Sequence, residues 1–359
     1  MNTPIRRDLR PLSLLILFAG ALLTGCEGQK IVARVNTEPI LEEEFHERTT
    51  YVTAGEFPPG TSFDAGGIAL LSMITEKIKA QYAAEKGWLP PREEVSRTVA
   101  YLKRSNPLLR SAIQTGRFSD RDVERRVRDT MIDFAIGTNG AKADEKKLQD
   151  LYKQRVPNLT VPESWIVQIL PVNDPASGQK VLEELKRTGD FKAAARLAGI
   201  PPQLAINAGQ ETPIPVKNVD AATKTELDRL APGKFTDKPI KLTLTNPSQS
   251  ATVVLKMIGK EKEYVPSLED VKFLLTQELI SQTQPQWQSF RNQQLAEATS
   301  KADIQINIKR YAYLLDVIRA QAAENARGMV PGAMPPPGAS TPAPGDRAAT
   351  TPAPSPGSR

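Results

Sequence analysis

The sequence predicts an α+β protein in which helical segments at both ends of the ordered chain flank a smaller central α+β unit. Three observations predict it. Apolar residues recur at three- and four-residue spacing from Ile68 to Lys86 and again from Val123 to Ala135, the period of a helix with one buried face. Residues 161–263 change character: Trp165–Leu170, Ile240–Leu244 and Ala251–Met257 are β-branched and apolar enough for buried strands. From Val265 the helical period returns. That order implies that the first and third parts pack together and that the middle part is an insertion.

Taken in order, Val32 to Val35 reads as a short strand, Asn36-Thr37-Glu38 as a turn, and Ile40 as the entry to a helix. Glu42, Glu43 and Glu44 then fall in the first helical turn, where carboxylates suit the positive end of the helix dipole. The helix from Ile68 carries Leu70, Leu71, Ile74, Ile78 and Tyr82 and should stop before Gly87. Pro90-Pro91 opens another, with Val95, Val99 and Leu102 inward. Ser119-Asp-Arg-Asp122 has the spacing of a capping box, and Val123, Val127, Met131, Phe134 and Ala135 lie beyond it on one face. Arg121, Arg125 and Arg128 fall on the other face and are expected in solvent. Asp144 opens a helix toward Tyr152.

In the middle part, a helix from Gly178 to Leu197 is expected to break at Gly189, and a second runs from Thr223 to Leu230. The two later strands form a hairpin around Asn246-Pro247-Ser248. Ser267-Leu-Glu-Asp270 is another capping box, succeeded by Val271, Leu274, Leu275 and Leu279. Pro285 should end that helix. Gln286 to Ser300 resumes it, and Asp303 to Asn307 alternates like a short strand.

The chain ends place the protein. Arg6, Arg7 and Arg10 precede an apolar run from Leu12 to Leu23, and then come Thr24, Gly25 and Cys26, the only cysteine in 359 residues. A basic start, an apolar core too short for a comfortable span and small residues at a cleavage point make a secretory signal. The order resembles the lipobox of bacterial lipoproteins, which implies cleavage before Cys26 and a diacylglyceryl group on its thiol. Two or more acyl chains anchor firmly, whereas one binds only marginally. Glu27 to Lys30 spans ~15 to 18 Å when extended, so the body is expected almost on the bilayer. Without residues 1–25 the chain loses Arg6, Arg7, Arg10 and Asp8, and its formal charge falls from +6 to +4. That excludes the clustered basic footprint of a nucleic-acid binder, and one cysteine excludes an intramolecular disulfide. From Gly328 onward the chain is Pro, Ala, Thr, Ser and Gly with few large apolar residues, the composition of a disordered, partly polyproline-like tail.

Several separated patches carry a further resemblance. Val32 to Ile40 with Glu44-Phe45, Asn106-Pro-Leu-Leu with Gly116-Arg-Phe-Ser-Asp120, and Val161-Pro-Glu163 leading into a strand are the first three. Lys186-Arg-Thr-Gly-Asp-Phe191 with Arg196-Leu-Ala198, and Leu230-Ala-Pro-Gly-Lys-Phe-Thr-Asp-Lys-Pro-Ile240, are the others. In that order they resemble the PrsA/SurA family of extracytoplasmic foldases over residues 31–308. The resemblance implies a helical chaperone lobe built from the N- and C-terminal segments, with an inserted parvulin-type prolyl isomerase domain. The expected division is 1–25 signal peptide, 26–30 lipid-anchored linker, 31–160 N-terminal helical segment, 161–264 degenerate parvulin-like domain, 265–327 C-terminal helical segment and 328–359 tail.

The departures from the family pattern fall on the chemistry. The family's strand histidines are matched by Gln168 and Val253, and its glycine-rich phrase shrinks to Asn207-Ala-Gly-Gln210 without a clear acidic residue. Glutamine keeps part of a hydrogen-bonding network; valine can neither donate nor accept. His46, the only histidine, sits in a Glu/Arg-rich helix start and reads as a solvated side chain. Glu42–Glu44 and Glu93-Glu94 are adjacent on helices and point apart, which disfavours paired acid/base work. Trp88, Trp165 and Trp287 read as packing residues.

The function this implies is a membrane-anchored extracytoplasmic chaperone, with isomerase activity weak or lost and no confident catalytic residue. The remaining readings are an active prolyl isomerase and a structural envelope lipoprotein. No cofactor, metal or nucleic acid is expected. The expected partners are unfolded exported polypeptides and, through lipid on Cys26, a membrane, with homodimer formation left open.

Overall fold

A computed structural model describes residues 30–52, 64–200, 208–245 and 247–327. Cys26, the signal segment, Asn207, Asn246 and the 328–359 tail lie outside the described residues. The architecture is α+β, with two small antiparallel sheets among helices.

The first sheet joins the two ends of the described chain. β1 (Ile31–Val35) pairs with β2 (Glu38–Leu41) on one side and with β7 (Ile304–Ile306) on the other. The hairpin partner β2 was not anticipated: its Pro39 makes it a poor interior strand, but it lies at a sheet edge, where proline is tolerated. Asn36 takes φ 52° in the turn between them, a left-handed conformation that asparagine accepts more readily than most residues.

Around this sheet pack α1 (Glu42–Thr50), α2 (Ala65–Glu85) and α12 (Leu314–Ala326). Val35, Ile40, Phe45, Leu70, Ile74, Leu314 and Ile318 form one buried cluster. A second cluster draws on α3 (Arg92–Ser105), α5 (Asp120–Gly137) and α10 (Leu268–Thr283), through Val95, Val123, Phe134, Phe273 and Ile280. A third unites Tyr101 and α6 (Glu145–Leu159) with Val271 and Leu275. The first and third parts of the chain thus share their cores. α11 (Trp287–Lys301) begins two residues after Pro285, which closes α10.

Both expected capping boxes form. Ser119 and Asp122 cap α5 reciprocally, and Ser267 and Asp270 cap α10. A capping box satisfies two otherwise orphaned backbone donors at a helix start using neighbours in sequence alone. Gly87 and Gly189 take φ values of 71° and 70° at the ends of their helices.

The middle part folds on its own sheet, with order β4-β3-β6-β5. Its strands are β3 (Ser164–Pro171), β4 (Glu211–Pro215), β5 (Ile240–Thr245) and β6 (Ser248–Glu261). α7 (Pro175–Thr188) and α8 (Phe191–Leu197) cover one face through Leu170, Val181, Leu185 and Val254. α9 (Ala221–Asp228) covers the other through Leu227, with Trp165, Val253 and Leu255. The chain enters and leaves this unit side by side. The Val161 N–H donates to the Tyr264 carbonyl and the Tyr264 N–H to the Val161 carbonyl, both at 2.9 Å. α4 (Pro107–Gln114) reaches across to it: Arg110 pairs with Glu261 at 2.5 Å, and Gln114 donates to Glu211 at 2.6 Å.

Candidate functional site

Side chains alternate faces along a strand, and that alternation separates the two positions that the family resemblance brings together. Val253 is buried among Trp165, Val167, Leu255 and Met257, on the α9 side of the central sheet. Gln168 has the parity of Leu170, which packs on the α7–α8 side. Gln168 and Val253 therefore belong to opposite faces and form no common site. The Gln168 amide donates instead to the Gly209 carbonyl at 2.7 Å.

Register builds a different constellation around Gln168. It lies directly opposite Glu211 on β4 and Lys256 on β6, so these three side chains share one face in a row across three strands. Glu211 accepts from Gln114 of α4, and the Lys256 ammonium lies 5.6 Å from the centroid of the Phe235 ring. Phe235 stacks in turn on Phe191, at 6.2 Å and 27°. The row offers an amide, a carboxylate and an ammonium beside an aromatic ring. It can hydrogen-bond a peptide group; it has no imidazole. Sequence reasoning missed Glu211 because β4 reads Glu-Thr-Pro-Ile-Pro and its two prolines hide the strand; Lys256 lies on a strand that the sequence reveals, but its place opposite Gln168 depends on the pairing register.

Three depressions of the helical lobe are formed by described residues. One, of about 690 Å³, lies between α1, α2 and α5 and is lined by charge. Here the expectation of solvated arginines fails for Arg125. Its side chain is 26% exposed and pairs with Glu76 at 2.6 Å and Asp122 at 3.3 Å. Arg48 closes on Glu76 from the other side. Burial pushes the Glu76 carboxyl up, opposed mainly by the Arg48 guanidinium. Arg121 remains 74% exposed, although it reaches Glu47 at 3.0 Å. Arg125 fell on the polar face of its own helix, but that face meets α2. Beside it, Lys79 reaches Asp129 at 2.6 Å and Asp133 at 3.2 Å.

Another depression, of about 500 Å³, is lined by Trp88, Leu89, Pro90, Met131, Phe134 and Phe273, with Glu94, Glu145 and Lys272 on its margin. Phe134 stands edge-on to both Phe273, at 5.9 Å, and Trp287, at 5.3 Å. Trp287 lines an adjoining hollow of about 400 Å³ with Phe290, and the two hollows share Thr138. Gly140, at φ 65°, lets Trp88 approach: a Cβ there would stand 2.4 Å from the indole nitrogen. The Glu94 carboxyl is raised by burial, with Lys272 opposing. The result is an apolar, aromatic strip with a charged margin. Phe134 and Phe273 are its buried floor, and Trp88 and Trp287 are its half-buried walls; an apolar hollow of this kind fits an apolar side chain of a polypeptide segment better than a small charged ligand.

The remaining sequence candidates are dispersed. His46 is 68% exposed and stands 3.9 Å from Glu42. Trp165 is core, whereas Trp88 and Trp287 border the aromatic strip. Among the described residues no cluster of three or more His, Cys, Asp or Glu side chains could hold a metal ion, and no helix is long and apolar enough to cross a membrane.

Two antiparallel sheets and a helical lobe made from both chain ends make this an α+β protein, and solved structures of PrsA foldases and SurA-like chaperones are similar to it. The foldase protein PrsA of Lactococcus lactis matches 80% of this chain over 99% of its own, at 16% identity and a TM-score of 0.30. A SurA-like chaperone of Campylobacter jejuni matches 76% over 98% of its own chain, at 14% identity and a TM-score of 0.28. PrsA of Bacillus subtilis matches 80% over 98%, at 13% identity and 0.26. No family model and no curated protein matches the chain.

Proposed function

We propose that this protein is a lipid-anchored chaperone of the bacterial envelope, holding newly exported, unfolded polypeptides on the aromatic strip of its helical lobe. The observation that carries the reading is that strip: Trp88, Phe134, Phe273 and Trp287 in two adjoining hollows with a charged margin. Surfaces of this kind bind weakly and promiscuously, as a holding chaperone requires. The lipobox-like segment ending at Cys26 and the foldase-like sequence patches support the location and the class. Lys30 leads straight into β1, a strand of the helical lobe, so a tether on Cys26 holds that lobe nearest the membrane.

Prolyl isomerase activity is weak or lost in this reading. The barrier of ~18–20 kcal/mol needs no covalent nucleophile, but Val253 is buried on the far face and Gln168 is committed to Gly209. The second reading, an active isomerase, is favoured by one observation: the row Glu211–Gln168–Lys256 keeps hydrogen-bonding groups on a single face.

Suppression of aggregation of a refolding client tests the first reading, and no effect at several-fold excess refutes it. A protease-coupled proline isomerisation assay separates the two. Acceleration comparable with an active parvulin establishes the second. For the anchor, Cys26→Ser should release the protein from the membrane fraction; unchanged association sinks the lipid tether.

A further inference from the structure

We propose that the hollow of about 500 Å³ selects clients by charge, taking segments in which an apolar residue is flanked by lysine or arginine, and that Glu94 is the residue that selects. The inference rests on the holding function proposed above and adds the chemistry of what is held. The floor of the hollow accounts for the apolar half of the preference. Met131, Phe134 and Phe273 are buried there, while Trp88 is half-buried and Leu89 is exposed at its sides. Such a floor receives an aliphatic or aromatic side chain.

Glu94 accounts for the charged half. It stands in the first turn of α3 and lines the hollow half-buried. Among the described residues its carboxylate makes no hydrogen bond and no ion pair. Burial pushes that carboxyl up; Lys272 opposes the rise and Glu269 adds to it. Lys272 does not close on Glu94, because Glu145 at 3.1 Å and Glu269 at 3.6 Å already share its ammonium. Three carboxylates thus act on one ammonium, and Lys142, the other cation of the lining, is exposed. A carboxylate beside an apolar floor carries a desolvation cost that a bound cation offsets. Lysine and arginine suit the place because their stems lie along apolar surface while the charged head reaches an acceptor. A cation held near an indole such as Trp88 gains further. The chain as a whole carries +6, so a preference for basic segments has to be local. Glu93, the neighbour of Glu94, is held by Arg97 at 2.5 Å and does not line the hollow.

The experiment titrates the full chain, carrying Cys26→Ser, into dye-labelled peptides that share a central Leu-Phe pair and differ only in their flanks: lysine, glutamine or glutamate. Fluorescence anisotropy reads each Kd. The lysine peptide should bind several-fold more tightly than the glutamine peptide, and the glutamate peptide most weakly. Glu94→Gln should bring the lysine and glutamine peptides to equal affinity, whereas Glu93→Gln should keep the ratio of the parent chain. The ranking on the parent needs no variant, so it stands even where Glu94→Gln fails to fold. Equal binding of all three peptides overturns the selection and leaves the holding function in place. Binding of none overturns both. A lysine preference that survives Glu94→Gln overturns the assignment to Glu94, whose carboxylate would then serve only the dipole of α3.

Discussion

Asn36 and Asp303, 267 residues apart in the chain, hold each other by a reciprocal pair of hydrogen bonds. The Asn36 N–H donates to the Asp303 carbonyl at 2.7 Å, and the Asp303 N–H donates to the Asn36 side-chain oxygen at 2.9 Å. The Asn36 amide also donates to Gln81 of α2 at 2.7 Å. One turn residue thus ties β1, β7 and α2 together where the two ends of the chain meet.

Asn36→Ala removes two side-chain hydrogen bonds at an exposed site and places a β-carbon residue in a left-handed conformation. Each bond contributes about 1 kcal/mol or less when exposed, and the conformation costs about 1 kcal/mol. The expected loss is about 1–2 kcal/mol in urea denaturation. Asn36→Gly keeps the backbone conformation and should lose about half as much. Equal losses would show that the left-handed turn carries no strain.

Asp133 gives a pH prediction. Burial raises its carboxyl above the ordinary value of 3.8, and Lys79 opposes only in part. A group whose folded pKa is raised contributes stability that is fully present below the unfolded pKa and is lost as pH rises through the folded one. The parent chain should therefore gain on Asp133→Asn as pH falls from neutral toward the ordinary carboxylate range. Chemical denaturation of both proteins at several pH values reads the difference. A parent chain that loses ground to the variant with falling pH contradicts the assignment.

Installing histidines at the two parvulin-like positions should not restore a catalytic pair. Gln168→His removes the side-chain hydrogen bond to the Gly209 carbonyl on one face, at a cost of about 1 kcal/mol. Val253→His buries an imidazole among Trp165, Leu255 and Met257 on the other. Without a partner that costs roughly 1–3 kcal/mol. The double variant is expected to melt lower and to show no more isomerase activity than the parent. A large gain in rate would place both side chains on one face.

Gly140→Ala tests the aromatic strip. The added methyl meets the Trp88 indole, and φ 65° disfavours it independently. A loss of about 1–3 kcal/mol and a red shift of tryptophan emission are expected. Client holding should weaken with them. Unchanged emission would mean that Trp88 is not seated against this turn.

Legibility in the sequence tracks the range of the interactions involved. The capping boxes Ser119–Asp122 and Ser267–Asp270, and the break at Gly189, are settled by residues close in the chain, so the sequence showed them. β4 was not legible, since Pro213 and Pro215 speak against a strand and only its place at the edge beside β3 allows one. The periodicity of its own helix puts Arg125 in solvent, whereas its partial burial comes from Glu76 on α2.

The capped helices that begin at Ser119 and Ser267, the helix that stops at Gly87 and the strands Trp165–Leu170, Ile240–Leu244 and Ala251–Met257 were determined by the sequence itself, because patterning and local hydrogen bonds specify them. Which face of the central sheet each residue occupies was decided only in three dimensions. There a register shift between Ile166 and Val167 on β3, against β6, sets the cross-strand partners beyond it. A one-residue change in pairing exchanges the two faces. That is why Gln168 and Val253 could look like one degraded site in the sequence, and why the fold groups Gln168 with Glu211 and Lys256 instead.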